Sequence, residues 1–180
     1  MISGLPGVGK STIVDRIARR FRLAVFELDR LEAPLLAHGI DGDAIGWSAY
    51  ASLTALADQN LELGLGVVID SVAWTNRIRT EWRELAARRH AAFRAIEVIC
   101  GDAGLHRTRL EARTSRSRIG WERVAEAQRL YEPWDSPRLI LDSSRLLDDL
   151  LQEAISYVEK GASSGPSAAS PRSLPPDSIR

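Results

Sequence analysis

The chain has 180 residues, of which 44% are hydrophobic and 27% are charged, a composition typical of one folded domain. Its formal net charge is zero, so no overall electrostatic field attracts it to nucleic acid or to a membrane surface. A single cysteine excludes an intrachain disulfide and no segment has the ~20 apolar residues of a membrane span, so we expect a cytoplasmic protein.

Apolar runs and helical periodicities alternate along the chain. The periodicity predicts helices over 10–21, 43–63, 76–90, 102–130 and 143–160, the last with Ser143 or Ser144 as its N-cap. The short apolar runs between them predict buried strands over 1–3, 23–28, 66–70, 92–100 and 138–142. Buried strands separated by helices indicate a parallel sheet covered on both faces, which is a doubly wound α/β domain.

The composition of the chain changes at residue 161. From there to residue 180 the sequence consists mainly of Ser, Pro, Ala and Gly, with almost no large apolar side chain. Such a segment buries too little surface to offset the entropy cost of ordering it. We therefore predict one folded domain over 1–160 and a disordered tail over 161–180.

The first predicted strand leads directly into a glycine-rich loop. Residues 4–11, GLPGVGKS, match the pattern G-x-x-x-x-G-K-[ST], and a predicted helix follows. In this motif the glycines let backbone N–H groups converge on phosphate oxygens at the positive end of the helix. The lysine reaches the β- and γ-phosphates, and the serine hydroxyl binds Mg²⁺. The pattern predicts that a nucleoside triphosphate is bound by Gly4, Leu5, Pro6, Gly7, Val8, Gly9, Lys10, Ser11 and Thr12.

Two of the predicted strands end near a carboxylate. Asp70 suits the second half of the metal site, beside Ser11, although an N-cap aspartate at a strand exit is the alternative. Asp29 ends the second strand, and strand ends in such sheets face the ligand crevice. A carboxylate there can accept the proton of an acceptor hydroxyl that attacks the γ-phosphate. We assign Asp70 to Mg²⁺ and Asp29 to catalysis.

Two other uses of the triphosphate are disfavoured by the sequence. A motor ATPase needs a glutamate beside the strand-end acid to activate water, and Ser71 follows Asp70 instead. A GTPase switch needs an N-K-x-D or T-K-x-D element to recognise guanine, and the sequence contains neither. Transfer of the phosphate to an acceptor is therefore favoured over motion or switching.

Six arginines lie between residues 106 and 123. Arg109, Arg113 and Arg116 recur at helical spacing and can share one helix face. Arginines that close over a transferring phosphoryl group stabilise its charge, so this run predicts a kinase lid over about 102–130. The alternatives are a solvated helix face paired with glutamates and a nucleic-acid patch, and no aromatic residue interleaves before Trp121 to stack on bases.

Five segments in this order resemble a known group of proteins: ISGLPGVGKST, FELDR, VVIDS, CGDAGLHRTRLEAR and YEPWDSPRLILDSS. They resemble the small P-loop kinase-like proteins often labelled AAA-domain ATPases, a group similar to gluconate kinase, polynucleotide kinase, zeta toxin and chloramphenicol phosphotransferase. The resemblance covers about residues 2 to 160. It implies a P-loop NTPase three-layer fold with a five-stranded parallel sheet, a central loop strand, an arginine-rich lid after the fourth strand, and ATP as donor.

The resemblance also implies roles for individual residues. In such kinases the acid at the end of the second strand positions the acceptor hydroxyl, which falls here on Asp29. The first arginine of the RTRLEAR region flanks adenine or the phosphates, which falls on Arg107 or Arg109, and the loop after LILDSS passes near adenine. Arg30 follows Asp29 directly, so the spaced D-x-x-R of polynucleotide kinases is missing, which argues against a nucleic-acid acceptor.

The sequence therefore predicts an ATP- and Mg²⁺-dependent kinase that acts on a small hydroxylated metabolite. The proposed catalytic residues are Lys10, Asp29, Arg109, Arg113 and Arg116. The alternatives are an ATP-binding regulatory module that hydrolyses slowly and a nucleic-acid end kinase. The sequence does not identify the acceptor or the oligomeric state.

Overall fold

The computed structural model describes residues 1–112 and 121–162, which form five strands and seven helices. In chain order these are β1 (Ile2–Ser3), α1 (Lys10–Phe21), β2 (Ala24–Glu27), α2 (Leu28–Ala37), α3 (Gly42–Glu62), β3 (Val67–Asp70), α4 (Asn76–Arg88), β4 (Ile96–Ile99), α5 (Ala103–Glu111), α6 (Trp121–Leu130), β5 (Leu139–Asp142) and α7 (Leu147–Ala162).

All five strands are parallel and lie in the order β2-β3-β1-β4-β5, so the predicted doubly wound α/β sheet is confirmed. The loop strand β1 is central, because Ile2 pairs with Asp70 of β3 on one side and with Ile96 of β4 on the other. The carboxyl ends of all five strands therefore meet at one edge of the sheet, where ligands bind in folds of this type.

Each face of the sheet is covered by its own hydrophobic core. On one face, Ile13 and Ile17 of α1 and Leu150 of α7 pack against the strands. On the other face, helices α2, α3 and α4 contribute the second cluster, in which Leu53 and Trp82 are buried. Burial of apolar area on both faces fixes the sheet between two helix layers.

The structure differs from the prediction in two places, the segment between β2 and α3 and the segment after β4. The second strand ends at Glu27, and the helix α2 begins at Leu28 without a linker, so Asp29 lies in the first turn of that helix and not at a strand end. This helix was not predicted, because Leu28 suits a strand and a helix equally and Pro34 lies inside it. The predicted lid helix over 102–130 is two helices, α5 and α6, and residues 113–120 lie outside the described part of the chain.

The predicted N-cap of the closing helix is wrong. Helix α7 begins at Leu147, three residues beyond Ser144, because the Ser144 hydroxyl and amide both donate to Asp142 Oδ1, at 2.8 and 3.0 Å.

The predicted tail over 161–180 lies outside the described residues from 163 onward. Within the described ranges, no helix is long and apolar enough to cross a membrane.

The Asp142 carboxylate ties the ends of β4 and β5 together. Its Oδ1 also accepts a hydrogen bond from the Gly101 amide at 3.0 Å. The hydrogen bonds from Gly101 and Ser144 lower the pKa of Asp142 below its ordinary value of 3.8. The ionised carboxylate is therefore the form that stabilises this edge of the sheet.

We expect Asp142→Ala to lower the free energy of unfolding by about 1–2 kcal/mol at pH 7, because it removes three hydrogen bonds to one carboxylate. A depressed pKa contributes stability above the ordinary value of 3.8 and loses it as the pH falls further, so the difference between variant and wild type should shrink below that pH. Urea denaturation at pH 7 and pH 3 measures both effects. Asp15→Ala, which removes an exposed ion pair with Arg19, is the control and should change little. An equal loss at both pH values would contradict the proposed charge dependence.

Candidate active site

The glycine loop is shaped by close packing against neighbouring elements. Gly4 has φ +144°, and a Cβ there would collide with the carbonyl oxygen of Val98 in β4. Gly7 has φ +84°, and a Cβ there would lie 3.1 Å from Leu110 Cδ1 of α5. Gly9 has φ +96° and precedes the first residue of α1. The loop can adopt this path only with glycine at these positions.

The side chain of Lys10 folds back onto this loop. Its ammonium donates hydrogen bonds to the carbonyl oxygens of Gly4 at 2.8 Å and Leu5 at 3.1 Å. Ser11 and Thr12 are exposed in the first turn of α1, which contains no acidic residue. The positive end of the helix dipole, the loop amides and the ammonium therefore converge on one place, which is the arrangement of an anion-binding site.

His106 of α5 holds the loop from behind, a role that sequence reasoning did not assign to it. Its Nε2 lies 2.7 Å from the carbonyl oxygen of Pro6, and the ring is buried against Trp121 at a centroid distance of 5.3 Å. A carbonyl oxygen only accepts, so Nε2 carries the proton. No sequence pattern signals this contact, because the two residues are 100 positions apart.

A cavity of about 350 Å³ opens beside the loop, and we call it the loop cavity. Arg109 of α5 reaches across it, donating to Ser143 Oγ at 2.9 Å and to the Ser143 carbonyl oxygen at 3.1 Å. The cavity thus lies between the loop and the segment after β5, where the adenine was expected. Its lining comprises Gly7, Gly9, Lys10, Ser11, Thr12, Ile13, Arg109, Ser143, Arg145, Leu147 and Leu150.

The other predicted arginines do not join Arg109 in the described structure. Arg107 lies on a different side of α5, with its guanidinium 5.1 Å from the ring centre of Trp121 and 3.9 Å from Glu111, and it does not line the loop cavity. Arg113 and Arg116 lie outside the described residues, so their lid role stays a prediction.

A second, much smaller cavity of about 20 Å³ also borders Lys10 and Ser11, and we call it the acidic cavity. Asp70 and Glu27 end the adjacent strands β3 and β2 in paired register, and Asp29 follows in α2. Asp70 is only 3% exposed. Glu27, which sequence reasoning missed, bonds Arg30 at 2.6 Å. The lining comprises Pro6, Lys10, Ser11, Glu27, Asp29, Asp70, Ser71 and Val72.

Ser11 and Asp70 supply oxygen atoms that fit a magnesium ion whose other ligands include phosphate oxygens. Mg²⁺ prefers oxygen ligands and is usually bound by one or two carboxylates, waters and substrate phosphates. No group of three His, Cys, Asp or Glu side chains within the described residues is arranged to hold a metal ion by itself. This donor set suits an ion that arrives with a nucleotide better than an ion enclosed by protein ligands.

Three aromatic residues, Trp47, Tyr50 and Trp74, pack against one another, and we call this group the aromatic wall. The ring centres of Trp47 lie 6.0 Å from Tyr50 and 6.2 Å from Trp74. Burial, the charges of Glu32 and Asp29, and hydrogen bonds with Ala73 and Trp74 act on Tyr50, and their net effect raises its pKa. The aromatic wall is therefore next to the two carboxylates of α2.

A buried arginine fixes the loop that carries Trp74. Arg79 is 0% exposed and donates to the Ala73 carbonyl oxygen at 2.7 Å, to Asn76 Oδ1 at 2.8 Å and to the Glu132 carbonyl oxygen at 3.0 Å. Its guanidinium also lies 4.3 Å from the ring centre of Trp134. These contacts hold Ala73 at φ +48°, a conformation that non-glycine residues rarely adopt.

A family model described as AAA domain matches residues 1–134. No curated protein matches the sequence.

Solved structures of kinases and of one further nucleotide-bound protein share the fold. A sugar kinase from Janibacter sp. HTCC2649 has a TM-score of 0.69 at 18% identity, over 88% of this chain and 92% of its own. Mycobacterium tuberculosis APS kinase CysC, in complex with AMPPNP and APS, has 0.65 at 20%, over 88% and 95%. Chaetomium thermophilum Kti12, in complex with ADP-AlF3, has 0.68 at 20%, over 89% and 96%. Together they confirm the predicted P-loop NTPase fold.

We expect His106→Ala to lower the free energy of unfolding by about 1–3 kcal/mol, because it leaves the buried Pro6 carbonyl oxygen without its donor. Urea denaturation measures this loss. His38→Ala is the matched control, since its ring bonds the Pro34 carbonyl oxygen at 2.8 Å on an exposed helix end. If both variants lose the same stability, His106 does not have the proposed anchoring role.

We expect Glu32→Gln to raise the free energy of unfolding at pH 7 by up to about 1 kcal/mol. The expected gain is small because the side chain is only half-buried and solvent screens its charge. Burial and the neighbouring charge of Asp29 raise the pKa of Glu32 above its ordinary value of 4.5. The folded state thus retains this proton to a higher pH than the unfolded chain, and stability falls as the pH rises through that window. Thermal unfolding at pH 4 and pH 7 should show the gain only at pH 7, with Glu84→Gln on exposed α4 surface as control. A loss of stability at pH 7 would contradict this.

Proposed function

We propose that this chain, which belongs to the AAA domain family, is a kinase. It would transfer the γ-phosphate of ATP to a hydroxyl of a small molecule. One observation carries the proposal. Lys10 and Ser11 line both the loop cavity and the acidic cavity, so one anion site separates a nucleotide-sized space from a carboxylate-lined space. A donor and an acceptor bound in the two cavities would meet at the phosphate between them.

The loop cavity would hold ATP. The amides of residues 4–11 and the ammonium of Lys10 would bind the β- and γ-phosphates, and Arg109 would lie beside the nucleotide together with Ser143. Ser11 and Asp70 would hold Mg²⁺, which when bound neutralises charge on the β- and γ-oxygens. Arg113 and Arg116 are proposed to complete the lid over the phosphates.

The acceptor hydroxyl would enter the acidic cavity, whose volume of about 20 Å³ has room for one small polar group. As the acceptor oxygen forms its bond to the γ-phosphorus, the bond from that phosphorus to the β,γ-bridging oxygen breaks and ADP leaves with the electron pair. Asp29, half-buried in the first turn of α2, would take the proton of the acceptor hydroxyl on a carboxylate oxygen.

A regulatory ATP-binding module is the second candidate. It is favoured by the similarity to Kti12, which is not described as a kinase and was solved with ADP-AlF3. Such a module would need the loop cavity but not an acid in the acidic cavity. A nucleic-acid end kinase is disfavoured, because the carboxylates Glu27, Asp29 and Asp70 would repel a polyanion.

The test uses γ-labelled ATP with Mg²⁺ and a small-metabolite extract. We expect a labelled product from the wild type, a loss of about 100-fold or more in Lys10→Ala, where a phosphate-binding charge is removed, and a loss of about 10²- to 10⁴-fold in Asp29→Asn. Asp15→Asn, on the exposed face of α1, is the control and should match the wild type.

Nucleotide binding is measured in parallel and separates the two candidates. The kinase assignment predicts that Asp29→Asn still binds ATP. If label appears only as free phosphate, slowly and at the same rate in Asp29→Asn, the kinase proposal fails and the regulatory module replaces it.

A further inference from the structure

Ser71 directly follows the last residue of β3, and its backbone is anchored to the centre of the sheet. The Ser71 amide donates to the carbonyl oxygen of Ile2 in the central strand at 3.3 Å, and the residue is only 4% exposed. Two residues further on, the Ala73 carbonyl oxygen accepts a hydrogen bond of 2.7 Å from the buried Arg79. The backbone around Ser71 is therefore held from both sides.

The hydroxyl of Ser71 differs from the other buried hydroxyls among the described residues, because its Oγ has no hydrogen-bond partner. The hydroxyls of Ser3, Thr75 and Ser143, which are also buried, each bond a protein group, at 3.5, 3.3 and 2.9 Å. Buried hydroxyls almost always have a partner, since leaving one unpaired costs free energy. A polar atom of a ligand would give this hydroxyl the partner that the protein does not provide.

The place where such an atom would bind is the acidic cavity. Ser71 lines it together with Lys10, Ser11 and Asp29, and its volume of about 20 Å³ has room for one oxygen-sized group. An alcohol oxygen suits this position, because it can donate its proton to a carboxylate and accept a hydrogen bond on one lone pair. Its second lone pair then remains for the phosphorus.

We propose that Ser71 positions the acceptor by donating a hydrogen bond from Oγ to the oxygen of the acceptor hydroxyl, while that hydroxyl donates to Asp29. The acceptor oxygen then bonds the γ-phosphorus, the bond from that phosphorus to the β,γ-bridging oxygen breaks, and ADP leaves with the electron pair. The proton of the acceptor passes to Asp29, and Ser71 keeps its own proton throughout. This inference rests on the proposed kinase function and adds a residue that aligns the acceptor for it.

The first test measures whether the Ser71 hydroxyl contributes to folding of the free protein. Ser71→Ala should leave the urea midpoint of unfolding unchanged, because no protein group loses a hydrogen bond. Thr75→Val is the matched control and should lower the midpoint, since it removes a buried hydroxyl that caps the Ile78 amide. An equal fall in both variants would show that the Ser71 hydroxyl has a structural partner, and would overturn the inference.

The second test measures acceptor positioning apart from nucleotide binding. The full chain and its variants are incubated with Mg²⁺, γ-labelled ATP and a small-metabolite extract, and both labelled product and labelled free phosphate are followed. In Ser71→Ala we expect product formation and the ratio of product to free phosphate to fall about tenfold or more, because water replaces the misaligned acceptor. The dissociation constant for ATP with Mg²⁺ should stay within about twofold. Ser52→Ala, which removes an exposed hydroxyl bonded to the Ser48 carbonyl oxygen, should match the wild type.

The possible results separate this inference from the kinase function. Equal product formation in the wild type and Ser71→Ala would overturn the role of Ser71 and leave the kinase function standing. Weaker binding of ATP with Mg²⁺ at an unchanged ratio of product to free phosphate would assign the hydroxyl to the metal or the nucleotide, and would also overturn it. If the wild type binds ATP but forms no labelled product, the kinase function fails and this inference fails with it.

Discussion

The whole site depends on the pairing of a two-residue strand. Ile2 and Ser3 pair with β3 on one side and β4 on the other, and this alignment brings the glycine loop between Asp70 and the segment after β4. Gly4 then leaves the sheet so close to the Val98 carbonyl that no side chain fits. The position of the phosphate site is therefore set by backbone packing in the centre of the sheet, and the surrounding helices add the chemistry.

The parts that the sequence predicts well are those with local physical signals. The loop pattern, the bounds of α1 and the order of apolar strands each depend on residues within a few positions of one another. Asp29 was misplaced because FELDR contains neither glycine nor proline, so the sequence does not mark the direct change from strand to helix at Leu28. Glu27 and His106 were missed because their places depend on elements far apart in the chain, which a single sequence does not encode as a pattern: Glu27 pairs in register with Asp70, and His106 contacts Pro6.

Arg79 has a consequence for movement across the site. Its guanidinium bonds the loop after β3 through Ala73 and the segment after α6 through Glu132, and Trp74 and Glu132 are also joined by a backbone hydrogen bond of 2.8 Å. These contacts therefore join the two segments, one of which carries Trp74 while the other follows the end of α6. Because a buried guanidinium and a backbone hydrogen bond join them, a displacement of the segment after α6 would also displace the loop that carries Trp74.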